Sequence, residues 1–491
     1  MTDKWLVLKF GGTSVTGKQQ WETIELLARQ RLDQGYRVLL VCSALAGMTN
    51  ALQNLAEKAE SHDGSDVKKI LLRHRQLADE LGIEIEDLLR EASEQIASAL
   101  DRITAATDKA GYYAGIASLL PTGEWLSTRI GERYLARTLA IDWVDAREAL
   151  QALAENDLHV RRTWLSARCA SNPDTIIQER WLTKAPLLIT QGFVATHPQG
   201  GTVLLGRGGS DTSAVLLASR LEARHLEIWT DVPGLFSADP RLIPDARLLR
   251  VLDYDEALEM AASGAKIVHS RCIRAAADAG IRLRIGDLGH INLTGTIIQP
   301  RDEASAQGNE GIRGVCCQPQ MAVLLLQNLD MREQVGFLTW VFEQISQAGI
   351  SIDLVATSET TTTVALNMVS NHLDEDILSD LASTLKQRCA VTVFPQCSAI
   401  NLVGRGTRVA LAQLGSVSAF FTRHALLMLS QSANDLCLSM LVHTRHAHEL
   451  LKTLHDAVIG NSLDEKPKAE VFGPSWQELL DAVPPTPPPN R

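Results

Sequence analysis

The sequence lacks the features of membrane and secreted proteins. Among its 491 residues, no run approaches the about 18 consecutive apolar residues that a membrane helix needs. Its first residues lead directly into an apolar, strand-like segment that ends at Gly11, without the hydrophobic region and small-residue cleavage site of a signal peptide. We therefore expect a cytoplasmic protein with no membrane partner.

Basic residues are also fewer than acidic residues. The chain has 47 Lys and Arg residues against 58 Asp and Glu residues, a formal net charge of -11. Because nucleic-acid binding draws most of its affinity from basic surface, a nucleic-acid partner is disfavoured. The eight cysteines show no paired CxxC spacing, so we expect reduced core thiols and predict no metal held by the protein.

The length predicts several domains, since one domain averages about 150 residues. Apolar runs at 5–10 and 37–43 flank an amphipathic stretch at 20–34, which is typical of a βαβ unit. A long helical pattern then covers 51–120. Further strand-like runs occupy 187–194, 202–205, 227–230 and 281–286. These patterns predict an α/β fold with a mainly parallel central sheet covered by helices.

The composition changes near residue 300, where the chain becomes polar and rich in turn residues. Beyond it, apolar strands at 322–327 and 399–403 each begin a strand–helix–strand–strand–helix pattern, which predicts two successive βαββαβ modules. We predict a catalytic domain at 1–300, regulatory domains at 315–395 and 396–475, and a proline-rich tail or linker at 476–491.

Two glycine-rich turns carry the strongest chemical signal. Lys9-Phe10-Gly11-Gly12-Thr13-Ser14 follows a strand, and its glycines let the backbone approach a phosphate while Thr13 or Ser14 caps the next helix. A Gly-Gly turn alone is more often only a tight turn. Leu205 to Ala214 contains three glycines, with Arg207 suited to gripping a carboxylate or phosphate.

In that second turn, Ser210 is a candidate helix cap, and Asp211 at the helix start can orient a lysine ammonium. Neither turn has the GxxxxGK[ST] pattern or the dinucleotide fingerprint. A third loop, 229–241, carries Phe236 and Arg241, which suit a nucleotide, and Lys266 follows at a helix-to-loop junction.

Together these stretches resemble the aspartate kinases of the amino-acid-kinase fold. The matching segments, in order, are 9–15, Ser43, 48–50, 123–124, 189–193, 205–214, 230–232 and 264–266. The resemblance covers nearly the whole chain, because the two C-terminal modules look like paired ACT domains, and it is closest to the lysine-sensitive type. It implies helices on both faces of the sheet, followed by two ferredoxin-like ACT domains.

The resemblance implies phosphorylation of the β-carboxylate of L-aspartate by ATP, with Mg²⁺ bound through the ATP phosphates. Lys9 and Asp211 would be catalytic. The implied aspartate-binding residues are Ser43, Thr49, Glu124, Arg207 and Ser210. The implied nucleotide-binding residues are Lys9, Gly11, Gly12, Ser14, Thr230, Asp231, Phe236, Arg241, Lys266 and Ile267.

The resemblance also implies feedback inhibition, with lysine the favoured effector and threonine or none the alternatives. Its implied effector-binding positions are Met331, Gly336, Phe337, Leu338, Ser351, Asp353, Ser358 and Glu359. ACT modules bind effectors between paired copies, so a homodimer or tetramer is expected.

Other interpretations remain open at this stage. Another amino-acid kinase, for acetylglutamate, glutamate or a nucleoside monophosphate, is disfavoured by Glu124, Thr49 and the C-terminal modules. A catalytically weak amino-acid sensor, in which the kinase half is a scaffold, is disfavoured by the intact Lys9, Arg207 and Asp211. The proline run also fits the kinase half of a fusion with another lysine-pathway enzyme, such as diaminopimelate decarboxylase.

Overall fold

The computed structural model describes residues 4–61, 64–154, 159–265, 267–301, 311–328, 335–460 and 470–482. These form two compact units, residues 1–234 with 267–300 and residues 235–266 with 301–491. We call them the first unit and the second unit. The boundaries predicted for the catalytic and regulatory domains stay predictions.

The strands are numbered in chain order. They are β1 Lys4–Phe10, β2 Tyr36–Cys42, β3 Ile141–Trp143, β4 Leu187–Gln191, β5 Val194–Thr196, β6 Thr202–Leu204, β7 His225–Thr230, β8 Arg247–Leu249, β9 Val251–Asp253, β10 Arg282–Asp287, β11 Thr296–Gln299, β12 Gly311–Gln327, β13 Leu354–Thr357, β14 Thr361–Asn367, β15 Ala390–Arg405, β16 Met428–Gln431, β17 Cys437–His443 and β18 Phe472–Ser475.

The α-helices are numbered in the same way. They are α1 Lys18–Asp33, α2 Met48–Glu57, α3 Ser65–Leu81, α4 Glu86–Thr104, α5 Lys109–Leu119, α6 Thr122–Leu135, α7 Ala146–Ala149, α8 Val160–Leu165, α9 Thr175–Leu182, α10 Gly209–Arg220, α11 Tyr254–Ala262, α12 Ser270–Ala279, α13 Phe337–Gln347, α14 Glu375–Leu385, α15 Thr407–Gln413, α16 Ser418–Arg423, α17 Thr444–Val458 and α18 Trp476–Ala482. Short 3₁₀ helices cover Gly12–Val15 and Leu414–Val417.

The first unit is built on a sheet in which neighbouring strands follow the order β3-β4-β2-β1-β7-β10-β11. All pairs from β3 to β10 are parallel, and β10 pairs with β11 antiparallel. The strands are apolar along their length because both faces are covered: all five residues of β4 are buried, as are all those of β1 after Lys4. The predicted parallel sheet and the helical 51–120 segment are confirmed.

Two predicted helix caps are wrong. Thr13 and Ser14 lie inside the 3₁₀ helix, and α1 begins later, with Gly17 as its N-cap. Ser210 lies within the first turn of α10, whose N-cap is Gly208. In both places glycine occupies the cap without a side-chain hydrogen bond. Gly208 has a φ of 67°, in the left-handed region that favours glycine, whereas Gly17 has an extended backbone that other residues also adopt.

The regulatory part of the second unit has one antiparallel six-stranded sheet in the order β13-β14-β12-β15-β17-β16. The long strand β12 pairs with β15 from Gly311↔Arg405 to Gln327↔Ala390, and its second half also pairs with β14. The two βαββαβ modules therefore share a continuous sheet. The first half of β12 pairs with the second half of β15 and so adds a strand to the second module. This strand comes before the first module in the chain.

Each predicted module packs helices against this sheet. In the first module, Phe337, Val341 and Ile345 of α13 lie in a core cluster with Leu378 and Leu385 of α14. All eight cysteines are free, six of them buried, which confirms the expectation of reduced core thiols. None of the helices in the described ranges combines the length and the apolar character that a bilayer crossing requires.

Candidate active site

The candidate active site lies where three parallel strands end. The register pairs Phe10 with Cys42 and Cys42 with Gln191, so β1, β2 and β4 stop at the same edge of the sheet. Backbone hydrogen bonds fix the residues that directly follow β2 and β4. Ser43 N–H donates to the carbonyl of Phe10 at 3.1 Å, and Gly192 N–H donates to the carbonyl of Cys42 at 3.1 Å. Ligand sites commonly form beyond the carboxyl ends of parallel strands.

A cavity of about 540 Å³ opens at this edge. It brings together residues that are far apart in the chain. The sequence-predicted site residues that line it are Lys9, Gly12, Ser43, Thr49, Glu124, Arg207, Ser210 and Asp211. The cavity is thus lined by three cationic groups, two carboxylates and two glycine-rich turns, which suits a small zwitterion and a phosphoryl group.

Lys9 and Asp211 form an ion pair at the floor of this cavity. Lys9 lies on β1 and is only 7% exposed, while Asp211 lies in the first turn of α10. A helix N-terminus stabilises an anion such as Asp211, and the anion in turn holds the lysine ammonium in one place. The pair therefore holds the lysine ammonium in a fixed position in the cavity wall.

Glycine is required where the two turns approach other segments. Gly206 and Gly208 have φ angles of 76° and 67°, in the left-handed region that favours glycine. A Cβ on Gly192 would lie 2.9 Å from the Cα of Ser210, and a Cβ on Gly12 would lie 2.9 Å from the carbonyl oxygen of Ala44. Larger residues at these points would push the turns apart and open the cavity.

Glu124 is the unusual group of the site. It lies in the first turn of α6, is 3% exposed, and its Oε2 has no hydrogen-bond partner among the described residues. Burial raises the pKa of Glu124 to about 7, although the backbone N–H groups of Glu124 and Ala44 oppose the rise. A buried carboxylate with an unused oxygen is costly unless a cation completes it. The cavity therefore contains a prepared site for an ammonium group.

Sequence reasoning missed several contributors to the cavity wall, among them Arg161 and Phe193. Arg161, an exposed residue of α8, reaches the cavity together with Leu165. Phe193, quoted only as part of a matching segment, has a φ of 77°, which is uncommon for a bulky residue. Its N–H bonds to Ser213 Oγ at 3.1 Å. The run of basic residues at 161–162 was the only signal for Arg161.

The predicted nucleotide-binding residues are spread more widely. Ser14 Oγ donates to the carbonyl of Trp229 at 3.3 Å, which links the first turn to β7. Thr230 Oγ1 forms a local turn with Val232, and Asp231 is exposed. Gly11 and Ile267 lie in the first unit outside the cavity lining.

Two predicted nucleotide contacts lie in the second unit, where the structure shows other partners for them. Phe236 is buried and packs edge-on against Trp476, with ring centroids 5.5 Å apart. Arg241 is exposed and forms a bidentate pair with Asp239, at 2.7 and 3.0 Å. Lys266 lies outside the described residues, so its predicted role is untouched by the structure.

The predicted effector residues of the second unit lie at the start of α13 and on either side of β13. Gly336, with a φ of 90°, is the N-cap of α13, and Phe337 and Leu338 belong to or pack against the module core. Asp353 accepts from the N–H of Asn367 at 2.7 Å, and partial burial raises the pKa of Asp353.

The remaining effector positions lie in turns. Ser351 exchanges two hydrogen bonds with Asn371, and Ser358 forms a turn with Thr361, with 2.6 Å between the hydroxyls. Glu359 is exposed in that turn. Met331 lies outside the described residues.

Comparison with known proteins identifies the family of this chain. The model of the Amino acid kinase family matches residues 4–287. Lysine-sensitive aspartokinase 3 of Escherichia coli (strain K12) is 30% identical over 457 residues, which is 92% of this chain and 98% of the relative.

Two solved structures extend the similarity to the whole fold. E. coli aspartokinase III in complex with aspartate and ADP, described as its R-state, matches with a TM-score of 0.72 and 27% identity, covering 93% of this chain and all of that one. The same enzyme in complex with lysine and aspartate, described as its T-state, matches with a TM-score of 0.70 and 27% identity, covering 92% and 99%.

Proposed function

This chain belongs to the amino acid kinase family and is an aspartate kinase under allosteric regulation, and we propose that it transfers the γ-phosphoryl group of ATP to the β-carboxylate of L-aspartate at the cavity just described. The product is 4-phospho-L-aspartate, the first intermediate towards lysine, threonine and methionine. One observation carries the assignment of the site: a buried Glu124 without a full set of partners shares one cavity with Arg207 and the Lys9–Asp211 pair.

The charges of this cavity complement those of aspartate. Glu124 would accept a hydrogen bond from the α-ammonium group, since no donor among the residues that the structure describes reaches its Oε2. Arg207 would hold a carboxylate in bidentate fashion, which a planar guanidinium does well. Ser43, Thr49 and Ser210 line the same cavity and would fix the orientation through their hydroxyls.

The chemistry then needs alignment more than activation. The β-carboxylate is already a nucleophile, so neither a protein nucleophile nor a general base is required. Lys9 would neutralise charge on the phosphoryl group as it passes between the two oxygens, and Asp211 would keep Lys9 in position. Gly11 and Gly12 would bring backbone N–H groups close to the ATP phosphates. Ser14, whose own N–H donates to the carbonyl of Gly11 at 3.0 Å, would keep this turn in shape beside the nucleotide.

Magnesium fits this site only through the nucleotide. The cavity carboxylates are Glu124, whose buried oxygen suits an ammonium group, and Asp211, which is engaged by Lys9, so the lining residues form no oxygen cage. Mg²⁺ keeps several waters and prefers substrate phosphates to all-protein sites. Bound to ATP, it would shield the phosphate charges.

For regulation, we infer that lysine is the effector. The E. coli relative is named lysine-sensitive, and one of its structures contains lysine. Here the turn at Gly336 would receive the effector carboxylate on backbone groups, and Asp353 or Glu359 would meet its ammonium groups. Since ACT modules pair, we propose a homodimer or tetramer formed through them. Lysine can inhibit only if it binds the inactive state more tightly.

The test is ATP-dependent formation of aspartyl phosphate, trapped with hydroxylamine. Wild type, Lys9→Ala and the exposed control Lys18→Ala are compared, each with and without millimolar lysine or threonine. We expect Lys9→Ala to lose about 10²–10³-fold in kcat, as when one preorganised charge stabiliser is removed, and Lys18→Ala to behave as wild type. Absence of aspartate-dependent product from folded wild type would favour the sensor-scaffold alternative. Inhibition by threonine alone would correct the effector.

A further inference from the structure

A second cluster of chemically capable side chains lies outside the catalytic cavity, in the second regulatory module. His424 follows α16, while His446 and Glu449 lie on α17. One ligand atom from each residue lies within 4.8 Å of the other two. The reaction proposed above uses none of these residues, and the predicted effector residues lie in the first module.

The distances approach those of a metal site. His424 Nε2 lies 3.5 Å from Glu449 Oε2, and the two imidazole rings have centroids 3.9 Å apart with planes tilted by 31°. Two ligands bound tetrahedrally at about 2.1 Å from a zinc ion are about 3.4 Å apart. The distance between His424 Nε2 and Glu449 Oε2 is therefore already close to that required. The other two ligand-to-ligand distances, which are within 4.8 Å, would shorten by side-chain rotation.

The surroundings orient the three groups. His446 and Glu449 are three residues apart on a helix, so they share a face. The ring of Phe420 packs against His424, with centroids 4.7 Å apart. Arg423 Nη2 lies 3.8 Å from Glu449 Oε1, which leaves Oε2 turned towards His424.

The hydrogen bond from Arg445 indicates which ring nitrogen of His446 is an acceptor. Arg445 Nε donates to His446 Nε2 at 3.0 Å, so this nitrogen carries an available lone pair, as a metal ligand must. A metal bound through that atom would displace Arg445, which is exposed and free to turn to solvent. Two imidazoles and a carboxylate form a donor set that suits Zn²⁺ and its neighbours better than Mg²⁺ or Ca²⁺.

We propose that His424, His446 and Glu449 form a binding site for a divalent transition-metal ion of the zinc class, with water in the fourth position. A bound ion would tie the segment after α16 to α17, two parts of one module that are otherwise joined through side-chain packing and weak ion pairs. Three protein ligands and an open position make an exchangeable site.

The experiment is titration of the purified full-length chain with Zn²⁺ in the presence of a thiol-free reductant, followed by calorimetry and by the thermal unfolding midpoint. The variants are His424→Gln, His446→Gln and Glu449→Gln. The matched control is His448→Gln, because it removes an imidazole from the same helix outside the cluster. Since free cysteines such as Cys169 can also bind zinc, the decisive quantity is the difference between wild type and each variant.

We expect wild type and His448→Gln to bind one more equivalent of Zn²⁺ than His446→Gln at micromolar concentrations, and to gain thermal stability from it. Loss of one ligand should weaken this equivalent by at least about tenfold. Co²⁺ should give the visible absorption of a nitrogen- and oxygen-ligated tetrahedral ion in wild type and His448→Gln, and this absorption should be lost in the three ligand variants. Equal stoichiometry and affinity in wild type and all three variants would overturn the proposal.

Discussion

The proposed catalytic cavity and the predicted effector region differ in how deeply their polar groups are buried and in how those groups are bonded. In the cavity, Lys9 and Glu124 are 7% and 3% exposed. Lys9 is held by the counter-charge of Asp211, whereas Glu124 Oε2 has no hydrogen-bond partner within the part of the chain that the structure describes. In the effector region, Ser351 and Ser358 are exposed and bond mainly to neighbouring groups of their own module. The cavity is preorganised before any ligand arrives, whereas the effector region offers an incomplete surface.

This difference indicates how each region would use binding energy. Fixed, dehydrated charges act on a developing phosphoryl charge without reorganising, which is the condition for efficient electrostatic catalysis. An exposed site with local hydrogen bonds instead changes shape when an effector binds, and that change can be linked to an equilibrium between states. Changes in the first unit should therefore have larger effects than changes in the second.

The largest effect is expected for the buried Glu227 on β7. It accepts hydrogen bonds from Arg31 at 3.1 and 3.2 Å and from Trp229 Nε1 at 3.1 Å, and Arg284 lies 3.5 Å away. Glu227→Gln would leave two half-buried guanidinium groups without a counter-charge, which should cost about 3–5 kcal/mol of unfolding free energy. Urea unfolding measures this, with the exposed Glu179→Gln as control.

The pH dependence of Glu227 has a definite sign. Despite its burial, His225 and the two arginines hold the pKa of Glu227 at about 2, below its ordinary 4.5. Its contribution to stability is present above pH 4.5 and is lost as pH falls towards 2. The difference in unfolding free energy between wild type and Glu227→Gln should therefore become smaller in acid. An equal difference at pH 7 and pH 3 would contradict this account.

The next largest effect concerns Glu124. Glu124→Gln keeps the shape but removes the partner of the substrate ammonium, so kcat/KM for aspartate should fall about 100-fold, a loss of about 3 kcal/mol for a buried charge-assisted bond. In wild type, kcat/KM should fall as pH drops below about 7, where Glu124 becomes protonated in the free enzyme. The control Glu132→Gln, on the same helix, should leave kcat/KM for aspartate and its pH dependence unchanged.

Glu124→Gln should also stabilise the ligand-free protein. Because the pKa of Glu124 rises from 4.5 to about 7 on folding, this group disfavours the folded state increasingly from pH 4.5 to 7. Removing it should raise the unfolding free energy above pH 7 by up to about 3 kcal/mol. A variant less stable than wild type at pH 8 would show that Glu124 has a structural partner instead.

A smaller effect is expected in the effector region. Asp353→Asn keeps an oxygen for the Asn367 N–H but removes the negative charge. The lysine concentration for half-inhibition should rise about tenfold, the loss of about 1.4 kcal/mol of a charged contact. Activity without lysine should not change. The exposed Asp376→Asn is the control, and equal inhibition of all three proteins would move the effector site elsewhere.

The smallest effect is expected for Arg161. As an exposed group at the cavity wall, Arg161→Ala should raise KM for an anionic substrate about threefold, in line with the 0.2–1 kcal/mol of solvent-exposed charge contacts. Arg162→Ala removes the same charge from the same helix but not from the cavity lining. Equal changes in both variants would indicate a long-range field rather than a contact.

The sequence predicted most of the first unit because its signals are local. The apolar runs of β1, β2 and β4 and the glycine turns follow from residues adjacent in the chain, and the match to aspartate kinases named Lys9, Glu124, Arg207 and Asp211. Helix caps were predicted less well, since Gly17 and Gly208 replaced the expected serine and threonine caps. At Gly208 the left-handed backbone, with a φ of 67°, outweighs the side-chain preference for serine.

What the sequence by itself determined is the order of elements, the α/β class, the unpaired cysteines and the residue types proposed to bind a phosphate and an amino acid, because these depend on local periodicity and backbone freedom. Only the tertiary structure decided that Lys9 pairs with Asp211, that Glu124 retains an unpartnered oxygen, and that His424 meets His446. Those facts depend on which distant segments pack together, and burial and charge pairing exist only after the chain has folded.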